Sequence, residues 1–206
     1  MAAGLKDGRS PRPGVAAPDG GAALPAYFSR LSARAQRIYL ASNAIERLNL
    51  SATPVAREHN ARLLRALEAG APAAVQRAAQ ALLDELCQLA RLGLVQVEVM
   101  SVRPHNARGE LHGIFYPRGT STSAIRPSAN SVVPPRPLIV LWMRTAQRHD
   151  VVKPRTFLRT LMHEFGHYLD YALLRLGDSP HTTGFFKRES FLVRMLGSPP
   201  DDHENY

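Results

Sequence analysis

Cysteine is nearly absent from this 206-residue chain. Cys87 stands alone, which excludes an internal disulfide and any metal site built from several thiolates. A metal ion would therefore have to be held by His, Asp or Glu. Long apolar runs are missing too: none approaches the ~20 residues that span a bilayer. Residues 1–8 lack the apolar core of a secretory signal. The expectation is a soluble, cytoplasmic protein that does not engage a membrane. Aromatic residues make up only 7% of the chain, and no aromatic-basic motif of a nucleic-acid module is present. Acidic residues are the scarcer charge, 17 against 26 Lys and Arg, giving a net charge of +9 carried almost entirely by Arg. That excess suits association with DNA or another polyanion, and equally a solvated Arg-rich surface. What remains is 45% apolar, enough for one domain with a sizeable core.

Residues 1–24 are rich in Gly, Pro and Ala with few large apolar groups, and such a segment buries too little surface to offset its ordering entropy. It reads as a disordered leader. Helical spacing of Leu31, Ile38, Ile45 and Leu48 predicts a first helix from Tyr27 to about Leu50, with Arg30, Arg34 and Arg37 along another face. Thr53-Pro54 has the chemistry of an N-cap followed by a first-turn proline, predicting a second helix to Glu68. Pro72 opens a third, with Cys87 inside its apolar pattern, stopped at Gly93. Residues 25–93 thus form an N-terminal helical layer packed on the core.

The period then becomes alternating. Val95, Val97 and Val99 predict a strand, Glu110–Tyr116 a second and Leu138–Met143 a third, the prolines before the last suiting an edge position. The Ser, Thr and Pro-rich stretch from Arg118 to Pro137 reads as a long loop. The fold class is α+β, with a small sheet of about three strands in a core spanning 94–197 and a loose tail at 198–206.

Pro154 opens the helix that matters most. Leu158, Leu161, Met162, Phe165 and Leu169 gather on one side of a 3.6-residue wheel, and His163 and His167 fall roughly opposite. Within it, His163-Glu164-Phe165-Gly166-His167 is an H-E-x-x-H pattern. Two histidines one turn apart point the same way and can reach one metal ion, with Glu164 beside them to handle a proton. A catalytic zinc usually takes a third protein ligand and leaves one position open. Leu173 occupies the place where an extended pattern would carry a third His, and Asp170 replaces its Gly. The first choice is His181, just ahead of a helix capped by Thr182 or Thr183 and four residues before Phe185. Glu189, 22 residues beyond His167, is the alternative third ligand, and Asp178 comes after both. Asp170 is a candidate partner that orients an imidazole. Tyr168, Tyr171, His112 and Arg188 are unranked candidates for stabilising an oxyanion.

This run, with His181 ahead of Phe185-Phe186 and the strands at 113–116 and 138–143, resembles the SprT-like (Spartan-type) zinc peptidases and other minimal gluzincin-like domains. The resemblance covers roughly residues 94–197 and implies a zincin-like core: a small sheet preceding an active-site helix, with a His followed by x-x-x-Phe as third ligand. The implied function is a zinc-dependent metallopeptidase hydrolysing peptide bonds through a zinc-activated water, with Glu164 as general base. Its expected cofactor is Zn2+ and its expected partner a protein or peptide substrate, held along the Leu138–Met143 strand. The alternative is a non-catalytic zincin-like module that binds DNA or a protein partner.

Overall fold

The computed structural model describes residues 24–106, 109–110, 112–117 and 136–197. The leader up to residue 23, the loop at 118–135 and the tail at 198–206 lie outside the described residues.

Proline and hydroxyl residues set the helix starts. The five α-helices among the described residues are α1 (Ala33–Ala44), α2 (Pro54–Glu68), α3 (Pro72–Leu89), α4 (Pro154–Ala172) and α5 (Thr183–Met195). Ser32, Thr53 and Thr182 cap α1, α2 and α5 by accepting the amides of Ala35, Ala56 and Phe185, while Pro54, Pro72 and Pro154 fill first-turn positions that need no donor. The first helix is shorter than its apolar spacing predicts, because Ile45 turns to extended backbone. The carbonyls of Ser42 and Ile45 are taken by the Arg188 side chain, and the Ser42 carbonyl is the one that the next turn of helix would need. Leu48 still enters the core, from the non-helical segment that follows.

The strands are β1 (Gln96–Val102), β2 (His105–Asn106), β3 (Gly109–Glu110), β4 (Gly113–Tyr116) and β5 (Leu138–Arg144). β2 and β3 pair as a small ladder, and the main sheet has the order β1-β5-β4, with β1 parallel and β4 antiparallel to β5. The α+β class and the three-stranded sheet agree with the sequence reading. The edge position expected for β5 does not. It is the central strand, with Leu138, Ile139, Val140, Leu141 and Met143 all buried, because its prolines precede the pairing segment rather than interrupt it and its unbroken apolar run suits cover on both faces. The second expected strand is also divided, Glu110 belonging to β3 and Gly113–Tyr116 to β4.

The outer edge of β1 is closed by side chains. Gln76 and Gln80, one turn apart on α3, each present an amide to β1. Gln80 accepts from Val97 N at 2.9 Å and donates to Val95 O at 3.0 Å, while Gln76 accepts from Val99 N and donates to Val97 O, both at 2.7 Å. Two glutamines thus mimic a neighbouring strand, which removes the template for unwanted pairing. Replacing both by Ala should lower the unfolding free energy by about 2–6 kcal/mol, four hydrogen bonds at roughly 0.5–1.5 each. Urea denaturation measures the loss, and light scattering should detect new concentration-dependent association. Among the described residues no strand pairs with the outer side of β4.

A single cluster of buried residues draws on α2, α3, β1, β5, α4 and α5. α4 runs through it and is enclosed on more sides than one apolar stripe requires: Glu164, Tyr168 and Asp170 are buried along with Phe157, Leu158, Leu161, Met162, Phe165 and Leu169. His163 and His167 are half-buried on the remaining face. Among the described residues no helix is long and apolar enough to cross a membrane.

Candidate metal centre

One turn of α4 carries His163 and His167, and the segment leading into α5 carries His181 to meet them. The Nε2 atom of His181 lies 3.1 Å from Nε2 of His163 and 3.1 Å from Nε2 of His167. Nitrogens bound to one metal at 2.0–2.1 Å in tetrahedral geometry sit about 3.3 Å apart, so the spacing fits. Phe185, buried, forms the floor beneath all three rings, at centroid distances of 5.0, 4.8 and 5.2 Å from His163, His167 and His181. Phe186 does not join the core as its spacing predicts. It is 44% exposed and stacks on His181 at 5.8 Å, so it walls the site from outside.

The proton positions support metal binding. Nδ1 of His163 is 2.8 Å from Glu189 Oε2, an acceptor, which assigns the ring proton to Nδ1 and leaves Nε2 with a lone pair. Nδ1 of His167 is 2.7 Å from Ser179 Oγ, and Ser179 donates onward to Asp170 Oδ2 at 2.8 Å. Ser179 spends its proton on Asp170 and accepts from His167, so that ring has the same tautomer. Of the two 3.1 Å contacts only one can then hold a proton, the one His181 could bring. A shared cation satisfies all three lone pairs at once. Burial and the two neighbouring imidazoles push His167 down to about 3, and burial, then His163, lowers His181. Both are therefore neutral, ligand-ready rings at ordinary pH. The three histidines form a group that could hold a metal ion.

Glu164 lies between the histidines and β4. It is 6% exposed, and a Cβ placed on Gly113 would come 2.8 Å from its Cγ and Oε1. Only glycine allows β4 to pass so close. The Phe115 backbone N–H donates to the carboxylate, yet burial dominates and pushes Glu164 up to about 7. In the metal-free protein the folded state thus holds this proton more tightly than the unfolded chain does. The stability it contributes is present below pH 4.5 and lost as pH rises through 7. At 1.36 kcal/mol per unit the loss is about 3 kcal/mol. Glu164→Gln should therefore stabilise the metal-free protein by about 2–3 kcal/mol more at pH 8 than at pH 4, a difference that thermal or urea unfolding at the two pH values measures.

The other residues singled out from sequence fall into distinct places. Glu189 is not among the converging ligands. It sits behind His163, its Oε1 accepting from Arg159 Nε at 2.6 Å while Oε2 holds the ring. Asp170 reaches an imidazole through Ser179 rather than directly, and is bound by Arg188 Nη2 at 2.8 and 3.2 Å. Asp178 is exposed and accepts from the Ser179 amide. Two oxyanion candidates are committed elsewhere: Tyr168 donates to Gly93 O at 2.7 Å, and Arg188 is 2% exposed inside the protein. Tyr171 and His112 remain at the mouth of the site, each lining a cleft. The cleft that holds His112 measures about 1260 Å³ and the one that holds Tyr171 about 460 Å³, and Gly113, His163 and Glu164 wall both. Arg30, Arg34 and Arg37 are exposed.

Ser179 and Arg159 carry roles that sequence reasoning missed. Ser179 lies in the turn before His181, where its polarity alone gives no direction. Arg159 stands one turn ahead of His163, the only local hint that the two share a partner.

No family model, curated protein or solved structure matches the chain.

Proposed function

We propose that the protein is a zinc-dependent metallopeptidase with a zincin-like core, and that Glu164 is its general base. The observation that carries this reading is the convergence of three imidazole Nε2 atoms next to a buried carboxylate, beside a strand edge that no described strand pairs with. His163, His167 and His181 would hold the ion, leaving a position open toward the clefts. Imidazole ligands suit zinc among several transition metals, and the adjacent base favours the hydrolytic one. When bound, zinc supplies Lewis acidity that polarises a carbonyl and acidifies water.

Glu164 handles the proton. With its carboxyl pushed up to about 7 by burial, it accepts a proton from the attacking water and returns it to the leaving amine. A site meant only to hold a metal has no use for a carboxylate buried at this cost. Substrate would lie along β4. Its residues alternate between bonding β5 and facing outward, and the Phe115 N–H bonded to Glu164 identifies Phe115, and with it Gly113, as outward. An extended peptide adding to that edge by main-chain hydrogen bonds would pass the histidines. Two clefts that share Gly113, His163 and Glu164 in their walls would leave room for chain before and after the cut bond, which favours cleavage within a polypeptide over trimming of its end.

The test is cleavage of an unfolded protein by the zinc-loaded protein, followed by gel and mass spectrometry, with and without DNA. Internal cuts that stop with chelator and return with zinc are expected. No cleavage of unfolded or DNA-bound proteins with zinc bound would sink the reading. Salt-sensitive DNA binding without proteolysis would then favour the non-catalytic module.

A further inference from the structure

The end of α1 touches the supports of two of the three histidines. Ser42, fully buried, is the hub. Its carbonyl accepts from Arg188 Nη1 at 2.7 Å, and its hydroxyl lies 3.0 Å from Arg188 Nη2 and 3.2 Å from Thr182 Oγ1. Arg188 also donates to the Ile45 carbonyl. From Arg188 the path runs to both carboxylate oxygens of Asp170, then to Ser179, then to Nδ1 of His167. A second path is shorter. Thr182 follows His181 directly and caps α5 by accepting from Phe185 N at 3.0 Å. The next turn is pressed against α1 as well: Gly184 N donates to Asn43 Oδ1 at 3.2 Å, and a Cβ there would meet the Ser42 and Asn43 carbonyl oxygens at 2.5 Å. The third histidine, His163, is held separately, by Glu189 and Arg159.

An arginine whose side chain is 3% exposed against an aspartate at 0% is costly to bury, and replacing such a pair by apolar groups often stabilises a fold. Here the path joins the end of α1 to the start of α5 and to a ring nitrogen of His167. Packing α1 needs no such path; orienting His167 and His181 does.

We propose that the C-terminal end of α1 is a positioning element of the metal centre: Ser42 orients His167 through Arg188, Asp170 and Ser179, and fixes His181 through Thr182. The inference rests on the metal-centre reading. It makes the N-terminal helical segment a working part of the site, so that undocking α1 weakens metal binding without touching a ligand.

The test uses the full chain and measures Zn2+ affinity by competition with a chromophoric chelator, the visible spectrum of the Co2+ form, and the metal-free melting temperature. Ser42→Ala removes only the hydroxyl. Gly184→Ala forces α1 away, and if it does not fold, Ser42→Ala still decides. Asn60→Ala is the control, since Asn60 is a buried side chain bonded to the Leu196 carbonyl at 3.2 Å, off this path. Loss of a group that orients a ligand typically weakens metal binding 10–100-fold. Ser42→Ala should bind Zn2+ about tenfold more weakly with shifted Co2+ bands, while Asn60→Ala melts earlier yet binds normally. Unchanged affinity and spectrum in Ser42→Ala would overturn the proposal, as would equal weakening by Asn60→Ala. Failure of the unaltered protein to bind Zn2+ would overturn the metal-centre reading itself, and this inference with it.

Discussion

Replacing Glu164 by Gln should remove proteolysis and leave the metal in place. A positioned general base typically contributes 10²–10⁴-fold, so kcat/KM should fall by about that factor, or roughly 3–5 kcal/mol of transition-state stabilisation. The amide is close in shape to the carboxylate, and its oxygen can still accept the Phe115 N–H. A Cβ at Gly113 would come 2.8 Å from the Glu164 side chain, so the close passage of β4 suits a replacement of unchanged size. What the amide cannot do is take a proton from water. None of the three ring nitrogens bonds to Glu164, so Zn2+ stoichiometry should stay at one. The same substitution should raise the metal-free stability at pH 8, so lost activity could not be blamed on unfolding. Equal cleavage by both proteins would sink the assignment of the base. Loss of metal together with activity would mean that Glu164 acts in the coordination and not beside it.

The parts of the site that sequence could supply were those that follow from local geometry. H-E-x-x-H fixes two rings one turn apart on any regular helix, and Thr182 as a cap places His181 just outside a helix start. Neither inference needs knowledge of what packs where. The position of β5 did need it. Its apolar run suits a central strand and its preceding prolines suit an edge, and only the crossover that brings β1 alongside it in parallel decides between them. Glu189 and Asp170 illustrate the same limit. Both stand at plausible helical positions, and whether each binds metal, braces a ring or pairs with arginine depends on neighbours far away in sequence. Arg188 meets Ser42 across 146 residues, and nothing in the spacing of either residue announces it. The early end of α1 has the same source, because a side chain from α5 takes the carbonyl that a longer helix would have used.

The second large effect separates a ligand from a brace. His181→Ala should release Zn2+, whereas Glu189→Gln should keep it. Structural zinc sites with four ligands bind with about 10–16 kcal/mol, or roughly 3–4 per ligand, so losing one of three imidazoles should weaken binding on the order of a hundred- to a thousand-fold. Elemental analysis after dialysis against a mild chelator should then find His181→Ala empty. Glu189 has a different task. Its Oε2 holds the Nδ1 proton of His163, and its Oε1 is bound to Arg159, whose side chain is 41% exposed. Glutamine keeps one acceptor for that proton, and Arg159 can turn to water. Because one acceptor remains, the cost should sit at the low end of the 10–100-fold expected when a group that only orients a ligand is lost, with Zn2+ retained through the same dialysis. A carboxylate that bound the metal directly would not survive conversion to an amide so lightly. Loss of zinc from Glu189→Gln, with zinc retained in His181→Ala, would reverse the two assignments.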